Sequence, residues 1–187
     1  MEKESNINLV PMKFPEDKNE ISEWENKYKN TDGMKDIYHY IMEDNIYYGL
    51  DEVIETNHEI FPIGDDEKKL ALVAKTDTNE IAGWVLLDVY DLNTNDSTMF
   101  VQYIVINPAF QHQGIGTKIG KELFLSPEKY VGVKPGEIFA IIDKSNSASI
   151  NLFSKFNFKF NGNDKKYYQA KAFQPKLIKN SEPGFGE

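Results

Sequence analysis

The stretch Val105-Ile106-Asn107-Pro108-Ala109-Phe110-Gln111-His112-Gln113-Gly114-Ile115-Gly116-Thr117-Lys118 constrains this chain more than any other. Just before it, residues 99–106 form a β-branched and aromatic run of strand character. Just after it, Ile115, Ile119 and Leu123 recur four apart, the spacing of one helix face. The expected join is strand, Pro-marked turn, glycine-rich loop and helix. Gly114 and Gly116 let the backbone approach a ligand, because no Cβ stands in the way. The first helical turn leaves N–H groups without internal partners, at the positive end of the helix dipole. Such an end suits a phosphate or pyrophosphate. A Gly-x-Gly that merely supplies positive φ to a turn is the competing reading.

Size and charge narrow the partners. The chain has 187 residues, one ordinary domain, which buries roughly 70% of its unfolded surface and needs no staple. It has no cysteine, which removes disulfides, thiolate metal sites and a Cys nucleophile, and fits a reducing compartment. The first residues carry no apolar signal core and no run reaches membrane-spanning length, so a cytoplasmic protein with no membrane partner is expected. A net charge of −9 and a pI near 4.9 argue against nucleic acid as a partner. An acidic surface attracts cations, amines among them, although acidity also serves solubility.

In chain order, residues 7–10 read as a short edge strand stopped by Pro11. From 15 to 29, Ile21, Trp24 and Tyr28 share one face of an amphipathic helix. Residues 31–33 break it, and Met34, Ile37, Tyr38 and Ile41 mark a second helix. The segment 44–59 mixes Tyr47 and Tyr48 with Asp44, Asp51, Glu52, Glu55 and Glu59. It can line a pocket for a cation or be a solvated helix face. Runs at 70–74 and 81–87 flank a Thr-Asp-Thr-Asn turn, and 91–96 is another polar turn, so with 99–106 three strands make an antiparallel meander. The helix after the glycines ends at Ser126-Pro127. A loop over 128–137 and a buried, all-apolar strand over 138–142 follow. Strand, crossover helix and strand imply a parallel pair. The fold class is therefore α+β, a mixed and mostly antiparallel sheet flanked by helices.

Val-x-x-Pro followed by Gln-x-x-Gly-x-Gly, at 105–116, resembles the acyl-CoA-binding motif of the GNAT superfamily of N-acyltransferases. A second stretch, Asn146-Ser147-Ala148-Ser149-Ile150-Asn151-Leu152-Phe153-Ser154-Lys155-Phe156-Asn157-Phe158, resembles that family's Asn-x-x-Ala-x-x-Leu-Tyr-x-Lys-x-Gly-Phe signature. Physically, Asn146 can cap a helix. Asn157, where the family usually has Gly, can take the left-handed closing conformation. Residues 158–160 and 166–170 then read as a closing strand pair around 161–164. The two motifs span 100–158 of the chain.

The resemblance implies a GNAT-like sheet of about six to seven strands with a central, splayed parallel pair. It further implies acetyl-CoA as co-substrate. Backbone N–H groups of Gln111, His112, Gln113, Gly114, Ile115, Gly116 and Thr117 would hold its pyrophosphate. Ile104, Val105 and Ile106 would offer main-chain groups to the pantetheine arm, with an N–H near Ile106 polarising the thioester carbonyl. Asn146, Ser149 and Phe153 would complete the cofactor side. The implied reaction is direct acetyl transfer, in a ternary complex, to the primary amine of a small cationic molecule or a peptide.

The sequence departs from the family at two chemical positions. Gln102 stands where many members carry a Glu base. An ammonium of pKa near 10.4 costs about 4–5 kcal/mol to deprotonate at working pH, and glutamine can only hold a water that passes the proton on. Asp88, at the end of the neighbouring strand, is the nearest candidate carboxylate, or else a solvated strand-end acid. Phe153 stands where many members have the Tyr that protonates the thiolate. Tyr47, Tyr48 or Tyr168 are substitutes, and a thiol of pKa about 8.5 already leaves fairly well.

Two other functions stay open. One is an acyl-CoA-binding module that has lost turnover. The other is a dinucleotide enzyme, although Ile119 stands where its fingerprint wants a third glycine. His39, His58 and His112 share no metal spacing with carboxylates, so no metal is expected. Domain organisation is read as one acyltransferase domain over 1–172 and a loosely held tail over 173–187. A homodimer is compatible with the sequence without following from it.

Overall fold

The computed structural model of the protein describes residues 6–28, 60–64, 66–178 and 184–185. The expected second helix and the Tyr- and acid-rich segment 44–59 lie outside these residues. The described elements run β1 (Ile7–Pro11), α1 (Glu16–Tyr28), β2 (Ile60–Gly64), β3 (Glu67–Thr76), β4 (Ile81–Tyr90) and β5 (Thr98–Ile106). A 3-10 turn (Pro108–Phe110), α2 (Ile115–Leu125), α3 (Glu128–Val131), β6 (Glu137–Asp143) and α4 (Ser147–Ser154) follow. β7 (Lys159–Asn161), β8 (Tyr167–Ala172) and β9 (Gly184–Phe185) close the chain. The strands lie in the order β1-β3-β4-β5-β6-β8-β7-β9, with β2 on β3.

The sheet is mixed, as expected. β1 runs antiparallel to β3, and β8 runs antiparallel to both β6 and β7. β5 and β6 form the parallel pair, registered at Thr98 on Glu137, Met99 on Ile138 and Phe100 on Phe139. That ladder ends at Phe100 and Phe139, while β5 continues to Ile106 and β6 to Asp143.

Two compact units divide the chain, 1–61 with 69–86 and 103–115, and 62–68 with 87–102 and 116–187. In the first, α1 lays Ile21 and Trp24 on Met12, Ala71, Val73, Ile81, Trp84, Leu86 and Val105. Each large apolar side chain so buried contributes about 1.5–3 kcal/mol relative to exposure. Tyr28, the third residue of the expected face, packs at the margin. The hairpin between β3 and β4 closes through Thr76 N–H on Glu80 O at 2.9 Å, with Asn79 at φ 66° in its turn.

In the second unit, α2 and α4 bury an aromatic cluster. Phe124 lies 5.3 Å from Phe153, 5.2 Å from Phe156 and 5.2 Å from Phe158, ring centre to ring centre. Gly120 is the one residue that α2 can carry here, since a Cβ on it would stand 2.5 Å from the Phe156 ring.

Three local expectations change. Residues 128–131 are a short helix rather than loop, opened by Pro127 and closed by Gly132 at φ 82°. β6 is not buried on both faces: Ile138, Ala140 and Ile142 point inward, whereas Ile141 is 48% exposed. The first part of the tail is held by main-chain bonds, Lys176 N–H on Phe156 O at 3.2 Å and Ile178 N–H on Lys155 O at 2.7 Å. β9 adds parallel to β7. The large apolar residues Phe173 and Leu177 are exposed, so hydrogen bonds rather than apolar burial of these side chains tether this segment.

Candidate active site

The first unit carries the end of β5 and the glycine loop. Asn107 locks the two together. Its N–H donates to Ala82 O at 3.0 Å and its Nδ2 to Ile81 O at 3.1 Å, while its Oδ1 accepts from Ala109 N–H at 3.0 Å. The side chain is buried, so each bond it makes spares a buried polar group a cost of about 1–3 kcal/mol. Val105 presses its carbonyl towards β4: a Cβ at Gly83 would lie only 2.5 Å from that oxygen. Successive N–H groups of an extended strand point to opposite edges. Because Asn107 N–H turns to β4, Ile106 N–H turns away from it, and Ile104 N–H with it. Val105 is thus spent on the neighbouring strand, and Ile104 and Ile106 carry the outward N–H groups. Ile106 O accepts from Gln111 Nε2 at 3.4 Å.

Beyond the 3-10 turn the loop exposes His112, Gln113 and Gly114. Gln113 is braced by its Nε2 on Ala109 O at 3.1 Å. His112 and Gly114 both have positive φ, 62° and 76°. A Cβ built at Gly114 meets nothing within 4 Å. The glycine therefore serves the turn and leaves open approach to the backbone, the condition an incoming pyrophosphate requires. The residues present fit that group. His112, expected only as a pyrophosphate contact or a solvated loop histidine, is also a turn former.

The second unit carries Gly116 and Thr117 on α2, with Lys155 donating from its Nζ to Thr117 Oγ1 at 3.1 Å. An ammonium thus stands at the first turn of α2. Lys155 is in the signature quoted above. On α4, Asn146 Oδ1 caps Ser149 N–H at 3.0 Å, so Ser149 gives its main-chain donor to the cap and Asn146 keeps its Nδ2 as the donor end. Asn157 takes φ 63°, as its position required. Phe153 is buried, its ring 4.8 Å from that of Phe158. Tyr168 packs against Phe160 at 5.8 Å with Lys144 above it at 5.0 Å. Tyr47 and Tyr48 lie outside the described residues.

The two chemical candidates meet in the same unit. Gln102 Nε2 donates to Asp88 Oδ2, and Tyr90 OH donates to the same oxygen at 3.2 Å. Asp88 is only 4% exposed, so it is no solvated strand-end acid. Tyr90 was missed, although it stands two residues from Asp88 and so on the same face of β4. Burial first, then the charge and hydrogen bond of Asp88, push its hydroxyl up to about 12. Among the described residues no three potential ligands cluster as a metal site would need, and no helix is long and apolar enough to cross a membrane.

No curated protein matches the sequence. The fold is similar to a spermidine N-acetyltransferase from Vibrio cholerae, solved with CoA and spermine, at TM-score 0.60 and 14% identity, covering 90% of this chain and 95% of that one. It is also similar to the N-acetyltransferase PseH of Campylobacter jejuni with acetyl coenzyme A, at 0.54 and 15%, covering 91% and 99%. A third likeness is the PaiA N-acetyltransferase of Thermoplasma acidophilum with coenzyme A, at 0.53 and 18%, covering 90% and 99%. The family model described as acetyltransferase (GNAT) family matches residues 34–158, two thirds of the sequence. The chain belongs to the acetyltransferase (GNAT) family, enzymes that take acetyl-CoA as co-substrate.

Proposed function

We propose that the protein transfers the acetyl group of acetyl-CoA to the primary amine of a small cationic molecule or a peptide, directly and without an acyl-enzyme. The observation that carries this reading is the loop from Gln111 to Thr117, turned by Gly114 at φ 76° with open space above it and followed by α2. When bound, acetyl-CoA supplies an activated carbonyl and a thiol leaving group of pKa about 8.5.

The chain's own residues do the rest. Loop N–H groups hold the pyrophosphate, and the Lys155 ammonium beside Thr117 adds a positive charge at the start of α2. Ile106 N–H is the donor for the carbonyl oxygen as it gains charge. Gln102 holds the water that takes the proton from the ammonium, and buried Asp88 behind it supplies the negative charge that draws the proton that way. The amine nitrogen then bonds to the carbonyl carbon as the carbon–sulfur bond breaks, its electron pair leaving with sulfur. The second amine proton is released, and the thiolate takes a proton from solvent, since Phe153 offers none. With no cysteine in the chain, a thioester relay through the protein is excluded.

The net charge of −9 favours cationic acceptors, and the fold's likeness to a spermidine acetyltransferase makes polyamines the first class to try. The test is product mass spectrometry after incubation with acetyl-CoA and polyamines, amino sugars or peptide N-termini. An acetylated amine from at least one class is the expected result. Acetyl-CoA binding with no acetylated product from any class would overturn it in favour of a binding module.

A further inference from the structure

Gln102 cannot act as a base, so what it offers a substrate depends on which end of its amide faces outward. In most settings that end is indifferent, since amide oxygen and nitrogen are nearly the same size. Here it is fixed. The end of Gln102 that faces Asp88 is Nε2, and it donates to the same Oδ2 that already accepts from the Tyr90 hydroxyl. Asp88 is itself fixed, buried on β4 and bonded by the Tyr90 hydroxyl at the same Oδ2. Tyr90 stays a donor at every physiological pH, because its hydroxyl titrates only near 12. Tyr90 and Gln102 therefore both donate into the same oxygen of Asp88, which accepts from each.

We propose that Asp88 and Tyr90 are positioning residues for Gln102. They turn its Oε1 away from the carboxylate and towards the acceptor side of β5, where it receives a hydrogen bond from the incoming amine or from its water. This rests on the acetyl-transfer reading above and names the part of the site that selects a donor. A neutral carbonyl oxygen accepts from an ammonium, an amine or a water, and it repels nothing that carries hydrogen. Asp88 makes that oxygen more negative through the amide, without exposing a carboxylate to the substrate. The acceptor class it favours is a primary amine that keeps N–H bonds throughout attack, rather than a hydroxyl or thiol with one hydrogen to give.

The test combines a readout that needs no turnover with one that does. In uniformly 15N-labelled protein the Gln102 side-chain amide, assigned by its loss in Gln102→Glu, is expected to show one proton shifted strongly downfield by the carboxylate. Asp88→Asn, which keeps the shape but accepts and donates alike, moves that proton upfield and lets the amide flip. The same variant is expected to lower kcat about 100-fold, the usual effect of a misplaced group, with acetyl-CoA affinity unchanged. The double variant Asp88→Asn with Gln102→Glu reverses the bond, Asn donating to Glu, yet again fixes an outward acceptor oxygen at position 102, and is expected to recover at least 10-fold of that loss. A Gln102 amide with no downfield proton, or an Asp88→Asn enzyme as fast as wild type, overturns the proposal. A wild-type protein with the downfield proton but no acetylated amine instead overturns the acetyl-transfer reading and, with it, a role for this orientation in acceptor choice.

Discussion

Gln102 and Asp88, fourteen residues apart in sequence, meet side chain to side chain, with the amide nitrogen of one donating to the carboxylate of the other. The pair sets a buried carboxyl group behind a neutral amide. Glu67 adds its charge to that of Asp88 at the Tyr90 hydroxyl.

Gln102→Glu sets a second carboxylate against Asp88. Two carboxylates in contact share a proton, so the upper apparent pKa of the pair rises above the usual range near 4. The variant is expected to show a kcat/KM that climbs with pH over a higher range than in the wild type. Coincident profiles would show that the two side chains do not touch in solution.

Tyr90→Phe reports on the same cluster from the alkaline side. The folded hydroxyl titrates near 12 against an unfolded value near 10. Between those values the folded state holds a proton that the unfolded state has lost, so Tyr90 costs stability as pH rises from 10 to 12 and changes nothing below 10. Ultraviolet titration should resolve one tyrosinate near pH 12 that the variant lacks, and the variant's melting temperature should fall less between pH 10 and 12.

Two glycines of the same loop and helix separate binding from folding. Gly120→Ala drives a Cβ to 2.5 Å from the Phe156 ring, an overpacking expected to cost about 1–3 kcal/mol in urea unfolding. Gly114→Ala meets no neighbour but sits at φ 76°. It is expected to cost about 1 kcal/mol of stability and at least tenfold in acetyl-CoA affinity by calorimetry, because the loop no longer presents its N–H groups.

Lys155→Gln removes the ammonium beside Thr117 Oγ1. Charge-assisted bonds to phosphate are roughly twice as strong as neutral ones, so acetyl-CoA affinity should fall about 10-fold. The loss should shrink at high salt, where the wild-type attraction is screened. A salt-independent loss would place Lys155 in packing instead.

Local chemistry was legible in the sequence, and long-range burial was not. The strand, turn, loop and α2 follow from residues within one stretch, and Asn157 at φ 63° follows from the few residues able to adopt it. His112 at φ 62° was read only as a contact or a solvated loop residue, although histidine, like Asn and Asp, is enriched among non-glycine residues in that region. Pro127 was read only as a terminator, yet proline also opens helices, and it starts α3. The apolar run of β6 looked buried on both faces, but the aromatic cluster under α2 and α4 takes only one of them. Asp88 looked solvated because its burial depends on β5 supplying Gln102, which no local pattern records.

The most direct measurement is calorimetric titration with acetyl-CoA, followed in the same sample by free-thiol release on adding a polyamine or another primary amine. The account expects saturable binding with one site per chain and thiol released in step with amine consumed. Binding without release would contradict the transfer chemistry assigned to Gln102 and Asp88. No binding would contradict the assignment of the Gly114 loop to acetyl-CoA.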